Sequence, residues 1–265
     1  MVTAQAALAA AATLVAVAFT FCTLDRWLGR RRRHDLAWTV ALGMFAIASA
    51  ALWLGSSVGF TGPTFRVFFL FGAILNVPYL ALGTVYLFAG QRTGDRVALG
   101  LTCAAFFAAG VMVVAPLKAP ISGTDLPTGS EVFGPLPRIL AAVGSAGGAL
   151  VVFGGALLSL WRVMGGRERT RGRGLAAHPK RLAIGNALIA AGTLILGASG
   201  LLNGRLGASK AFAVTLTIGV TVLFAGFLVA TSSPRRPDSA TGTGAVGSSS
   251  SAERLAEDLP SPALG

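Results

Sequence analysis

Seven stretches of this chain are about as long as a membrane is thick and carry almost no charge. A helix needs about 20 apolar residues to cross the roughly 30 Å hydrocarbon core of a bilayer. Charged residues make up only 12% of the chain, against about 25% in soluble domains. The runs lack the alternating pattern of barrel strands, so helices are expected. They comprise residues 4–24, 36–55, 66–90, 97–115, 139–161, 182–203 and 211–231.

These runs predict the fold class and the domain organisation. We expect an all-α membrane protein, a bundle of seven transmembrane helices that forms one domain over residues 1–231. Residues 232–265 are rich in Ser, Gly, Thr and Pro. Such a segment buries too little apolar surface to offset the entropy of ordering, which predicts a disordered cytoplasmic tail.

Basic residues collect on one side of the expected spans. The connectors 25–35, 91–96 and 162–181, together with the tail, hold 17 of the 22 Lys and Arg residues. By the positive-inside rule this side is cytoplasmic, which places the N-terminus outside and the C-terminus in the cytoplasm. Topology and contacts with anionic lipid headgroups account for the net charge of +12, so no nucleic acid partner is expected.

The residue bias indicates the source and the location. Ala, Gly and Arg are abundant whereas Lys occurs only at positions 118, 180 and 210, a bias typical of high-GC bacterial genomes. The expected location is therefore the bacterial cytoplasmic membrane. On its outer side, the connector 116–138 contains five prolines and is either a plain link or a cap over a central cavity.

Polar residues inside the spans concentrate in the third one. Steps of four and three residues place Asn76 and Tyr79 on one helical face, which also carries glycines. Pro78 has no N–H for the carbonyl of Ile74, so a bend or a hydrated gap is expected there. The other members of this face are Gly72, Gly83, Tyr86 and Gly90.

Two interpretations of these polar and glycine-lined faces compete. In the first, small residues such as Gly144, Gly148 and Gly155 let helices approach closely, and Asn or Thr side chains bond across helices. In the second, Asn76, Pro78, Tyr79 and Thr193 face a central cavity and form a ligand-binding site near the bilayer midplane. The sequence favours the packing interpretation, because glycine-lined faces need no further assumption to fit it.

The expected spans lack the side chains of an enzyme. They contain no acid, His or Lys, and their one Arg is Arg66 at the margin of the third. Metal centres, proton relays and Schiff bases need such groups inside the bundle, so no enzyme, cofactor or metal site is expected. Ser145 has no neighbouring base to activate it. His34 reads as a solvated connector residue and Trp38 as an interfacial anchor.

Two segments carry a resemblance to known proteins. "HDLAWTVALGMFAIASAALWLG" (34–55) and "FRVFFLFGAILNVPYLALGTVYLFAG" (65–90) resemble uncharacterised seven-span membrane proteins of high-GC bacteria. That resemblance implies the fold and no activity. In topology alone the chain is similar to the SWEET sugar transporters, although only its third span has a proline well inside.

These observations predict a multi-pass membrane protein that is a non-enzymatic sensor, scaffold or accessory subunit, with membrane lipids and a membrane protein as partners. The alternative is a passive transporter of a small neutral solute, with a three-plus-one-plus-three helix arrangement.

Overall fold

The computed structural model describes residues 4–121, 123–164, 184–185, 187–189, 191–197 and 209–231. The long helices are α1 (Ala4–Arg30), α2 (Arg33–Val58), α4 (Asn76–Val114), α6 (Pro135–Met164) and α8 (Ser209–Thr231). The short ones are α3 (Gly62–Phe68), α5 (Gly129–Val132) and α7 (Ala187–Gly197), and the π-helical segment Phe69–Leu75 joins α3 to α4. Within these residues the β pairing is limited to an isolated bridge between Leu117 and Phe133.

The predicted all-helical architecture is confirmed, and the described helices include several able to cross a membrane. Four segments are long and apolar enough: Ala4–Arg30, Arg33–Val58, Gly62–Val114 and Pro135–Leu158. Two shorter apolar segments, Ala187–Gly197 and Val214–Val229, follow them. Most of the connector 162–181 and the tail 232–265 lie outside the described residues, so the predicted disorder of the tail stays a prediction.

The segment Gly62–Val114 folds back on itself instead of forming one rod. Its 53 residues would extend about 80 Å as a straight helix, but Gly90 interrupts the helix with φ 82° and ψ 175°. This left-handed backbone is accessible chiefly to glycine. The arms then meet in reverse order, since Tyr79 Oη lies 3.4 Å from Thr102 Oγ1. The predicted spans 66–90 and 97–115 are therefore antiparallel arms of one hairpin.

Arg66 joins the open ends of this hairpin. Its guanidinium donates to the carbonyl of Met112 and, at 2.7 Å, to the carbonyl of Ala115. The last carbonyls of a helix have no donors within the helix, and a cation at that end also complements the helix dipole. The Arg at the margin of the third predicted span thus caps the C-terminus of α4.

Close contacts fix the relative directions of the other helices. The hydroxyl of Thr217 in α8 donates to the carbonyl of Leu8 in α1 at 3.2 Å, and the ring of Phe19 packs at a tilt against that of Phe224 with centroids 4.6 Å apart. These pairs make α1 and α8 parallel. Contacts of the same kind make α1 antiparallel to α2, and α7 antiparallel to α8. They make α6 parallel to the first arm of the hairpin.

The proline-rich connector 116–138 packs onto one end of the bundle. The ring of Phe133 is fully buried, with its centroid 5.4 Å from that of Phe65 and 5.0 Å from that of Phe69. The backbone N–H of Phe60 donates to the carbonyl of Gly123 at 2.8 Å. An aromatic cluster therefore anchors this connector, which covers the helix ends.

Candidate functional site

The chain around Pro78 is an interrupted helix, as the sequence predicts. The N–H of Asn76 donates to the carbonyl of Phe71, five residues back, which is the π-helical pattern. Pro78 has no N–H, so it donates neither to the carbonyl of Ile74, four residues back as in an α-helix, nor to that of Ala73, five residues back as in the π-helical pattern. An unpaired carbonyl is costly in lipid, and a replacement donor is therefore expected.

Ser145 of α6 supplies one such donor. Its Oγ lies 2.6 Å from the carbonyl oxygen of Ala73 and donates to it. The sequence pattern led us to consider Ser145 only as a nucleophile, and its role as a hydrogen-bond donor to the kink was missed. A Ser in a glycine-rich stretch is an available signal for a close helix contact. The neighbouring residues do not specify that α6 pairs with the kink.

The glycines of α6 explain how its backbone comes so near the kink. A Cβ at Gly148 would lie 2.8 Å from the carbonyl carbon and oxygen of Val77 and 2.9 Å from the nitrogen of Pro78. A Cβ at Gly144 would lie 2.8 Å from the carbonyl oxygen of Ile74. These separations are shorter than real Cβ contacts, so the glycine face of α6 is an internal packing surface.

The four predicted site residues occupy different surroundings. Pro78 contacts α6 beside Gly144, whereas Tyr79 lines a groove between the hairpin and α2. Asn76 is half-buried, and its side chain makes no hydrogen bond within the described part of the chain. The hydroxyl of Thr193 in α7 donates to its own helix, at the carbonyl of Ile189. Asn186, seven residues before Thr193 in the sixth predicted span, lies outside the described residues.

The groove beside Tyr79 has a volume of about 220 Å³. α2 forms one wall with Arg33, Leu36, Ala37 and Val40, and the hairpin forms the other with Tyr79, Leu82, Tyr86 and Ala98. Tyr86 donates to Oδ1 of Asp95 at 2.9 Å, and Arg33 pairs with the same carboxylate. Asp95 therefore ties the turn of the hairpin to the start of α2.

A second space lies at the centre of the bundle. This cavity of about 60 Å³ is bordered by α1, α2, the hairpin, α6, α7 and α8, and its polar lining includes Thr23 and Thr84. Ligand pockets measure roughly 300–1,000 Å³, so this cavity has room for a few water molecules only. Trp38 lines this cavity, and its indole lies so close to Gly83 that a Cβ at position 83 would force the ring to shift. The interpretation of Trp38 as an interfacial anchor is wrong.

A buried charge cluster lies at one end of this cavity, beyond the predicted spans 4–24 and 36–55. Asp35 is fully buried, and its Oδ1 lies 3.7 Å from Nη2 of Arg26 and from Nε2 of His34. Neither carboxylate oxygen has a hydrogen-bond partner among the described residues. The guanidinium of Arg26 also lies 4.8 Å from the ring centroid of Phe227, a cation–π contact. The cluster therefore joins α1, α2 and α8.

Burial shifts the pKa of His34 in this cluster. It lowers the pKa of the imidazole, and the nearby Arg32 and Arg26 act in the same direction, against the opposite effect of Asp35. His34 is half-buried with its ring 5.4 Å from that of Trp38, so its interpretation as a solvated connector residue is wrong. In the parts of the chain that the structure describes, no three His, Cys, Asp or Glu residues form a group able to hold a metal.

No protein-family model, curated protein or solved structure matches this chain.

Proposed function

We propose that this protein is a non-enzymatic, seven-span protein of the bacterial cytoplasmic membrane that serves as a sensor, scaffold or accessory subunit of a membrane complex. The observation that carries the proposal is the closed kink at Pro78. There α6 contributes Ser145 as a hydrogen-bond donor and two glycines as contact points. The irregular helical segment before Pro78 is thus packed against another helix of the same protein, as the packing interpretation requires.

The directions of the helices support seven crossings. Seven crossings require α1 and α8 to run the same way, and likewise the first hairpin arm and α6. Both pairs pack in parallel. Helices adjacent in the chain, α1 with α2 and α7 with α8, pack in antiparallel pairs. An N-terminus outside and a cytoplasmic C-terminus follow from the positive-inside rule.

Cysteine labelling tests this topology. The exposed native Cys22 and Cys103 are first replaced by Ala, and single cysteines are then placed at Gly123 and Gly172. In intact cells a membrane-impermeant maleimide should label the Gly123→Cys variant, and the Gly172→Cys variant only after permeabilisation. The reverse pattern, or labelling of both in intact cells, would refute the orientation.

A second face of α6 supports a protein partner. A Cβ at Gly147 or Gly154 would meet no atom within 4 Å in the described chain. Val143 and Leu150 beside them are 68% and 75% exposed. Small residues among large apolar ones are typical of helix–helix contact surfaces in membranes. We infer that a transmembrane helix of another protein packs here.

Affinity purification in a mild detergent, followed by mass spectrometry, tests this inference. We expect a membrane protein to co-purify with the wild type and to be lost from the Gly147→Leu variant. The matched control is Ala104→Leu, which enlarges an exposed residue on the second arm of the hairpin. A partner retained by Gly147→Leu, or a wild type that purifies alone, would contradict the scaffold proposal.

The alternative, a passive carrier of a small neutral solute, is favoured by one observation. The amide of Asn76 is half-buried and unbonded in the described chain, next to an interrupted helix, where membrane transporters commonly place their sites. If it is correct, protein in liposomes passes a neutral solute and Asn76→Leu abolishes the flux without loss of folding. Flux that survives this substitution, or absence of flux for a broad solute panel, would eliminate the carrier.

A further inference from the structure

The groove between α2 and the hairpin, about 220 Å³ in volume, has room for part of a lipid chain and a largely apolar lining. Its α2 wall runs from Arg33 to Val40, which corresponds to about 10 Å of helix. Leu36 and Val40 on this wall are 39% and 37% exposed, so the groove opens sideways from the bundle. Its remaining lining is mainly apolar, with two tyrosine rings on the opposite wall.

The mouth of this groove is positively charged. Arg33 lines it with a side chain that is 55% exposed, and its Nη1 donates to Asp95. A guanidinium has five N–H donors, so this bond leaves others available. Arg92 and Arg96, both exposed, are on the same helical turns as Asp95, and Arg30, Arg31 and Arg32 precede Arg33. The positive charges of these arginines therefore outnumber the one negative charge of Asp95 at the mouth of the groove.

This combination distinguishes the groove from the rest of the lipid-facing surface. An apolar cleft alone accepts the chain of any lipid, whereas a guanidinium at its mouth selects a phosphate-bearing headgroup with net negative charge. On the cytoplasmic side of bacterial membranes, basic pockets between transmembrane helices bind such headgroups. The free donors of Arg33 suit the phosphate of such a lipid, and the apolar cleft suits the part of its acyl chain next to the headgroup.

We propose that this groove binds one anionic phospholipid, with an acyl chain between α2 and the hairpin and its phosphate at Arg33. The site goes beyond the proposed function, because it requires neither a protein partner nor a transported solute. Its occupant bridges α2 and the hairpin at the level where Asp95 already joins them.

Native mass spectrometry of the protein released from nanodiscs tests the site. The discs contain equal amounts of phosphatidylglycerol and phosphatidylcholine. We expect one phosphatidylglycerol to be retained about tenfold over phosphatidylcholine, which corresponds to roughly 1.4 kcal/mol. Ala98→Phe, which fills the groove, should abolish the preference, whereas Ala104→Phe on the same arm should preserve it.

A pair of charge variants separates a defined site from general attraction to a basic surface. Arg33→Gln removes the guanidinium at the mouth, and Arg31→Gln removes one charge from the same connector outside the groove. We expect the preference to fall in Arg33→Gln alone. Equal retention of both lipids by the wild type, or equal losses in the two Arg variants, would overturn the proposal. Should Ala98→Phe fail to fold, the Arg pair still decides.

Discussion

Two adjacent glycines of α6 provide a sharp test of the packing at the kink. Gly148 faces the carbonyl of Val77, with a Cβ separation of 2.8 Å, whereas a Cβ at Gly147 meets no described atom within 4 Å. In a helix interior, Ala is favoured over Gly by roughly 0.8–1 kcal/mol. This gain is common to both positions, so the difference between Gly147→Ala and Gly148→Ala isolates the contact with the kink.

The size of that difference follows from what the new methyl group meets. At Gly148 the neighbouring atoms belong to the backbone of Val77 and Pro78, which cannot rotate away as a side chain can. Insertion of one methyl into a packed interior costs about 1–3 kcal/mol. We therefore expect Gly147→Ala to be neutral or stabilising by up to about 1 kcal/mol, and Gly148→Ala to be less stable than Gly147→Ala by about 1–3 kcal/mol.

The assay is reversible unfolding in a mild detergent, with loss of helicity followed by circular dichroism while dodecyl sulfate is titrated. Both variants must elute at the wild-type volume in size-exclusion chromatography before the titration. Equal stabilities of the two variants, or a more stable Gly148→Ala, would refute the assignment of this face of α6 to the kink.

Two further predictions concern the hydrogen bond at the kink and the charge cluster. Ser145→Ala removes the hydroxyl that donates to the carbonyl of Ala73, so stability should fall by about 0.6–2 kcal/mol. In a Pro78→Ala background a backbone N–H returns that reaches this carbonyl in the π-helical pattern, so the same loss should be smaller. An unchanged loss in this double-mutant cycle would refute the coupling. For His34, whose pKa burial lowers, the unfolded chain takes up a proton at about pH 6.5 and the folded one at lower pH. The free energy of unfolding should therefore fall as the pH drops below about 6.5, over the window between the two pKa values. His34→Gln should flatten this decline in the same dodecyl sulfate titration. An equal decline in the wild type and in His34→Gln would contradict the assignment of the pH dependence to His34.

The segment around Pro78 shows which structural features the local sequence can predict. A proline removes a donor wherever it stands in a helix, so the freed carbonyl could be predicted from residue types alone. The donor found in the structure, Ser145, bonds the carbonyl of Ala73, next to the predicted carbonyl of Ile74, and is 72 residues away from Ala73 in the chain. Which helix lies against the kink depends on how all the helices pack, and apolar stretches of similar composition do not encode that choice.

The charge cluster shows the opposite case, in which a local pattern is misleading. Asp35 and His34 follow a run of four arginines, which is typical of a solvated connector. In the structure α2 begins before them at Arg33, Asp35 is buried beside Arg26 of α1, and Arg26 also contacts Phe227 of α8. Burial of a charge depends on the approach of distant helices, and the charges next to it in the chain do not determine it.

Residue types were enough to predict an all-helical chain able to enter a membrane, because long charge-free runs can satisfy their backbone in lipid only as helices. They also predicted the interruption at Pro78, since this follows from the missing N–H of one residue. Three features could be seen only in the folded chain: Ser145 of α6 donates to the interrupted segment, Gly90 turns the hairpin back on itself, and Asp35 is buried. These features arise from contacts between residues far apart in the chain, whose energies exist only once the helices have packed.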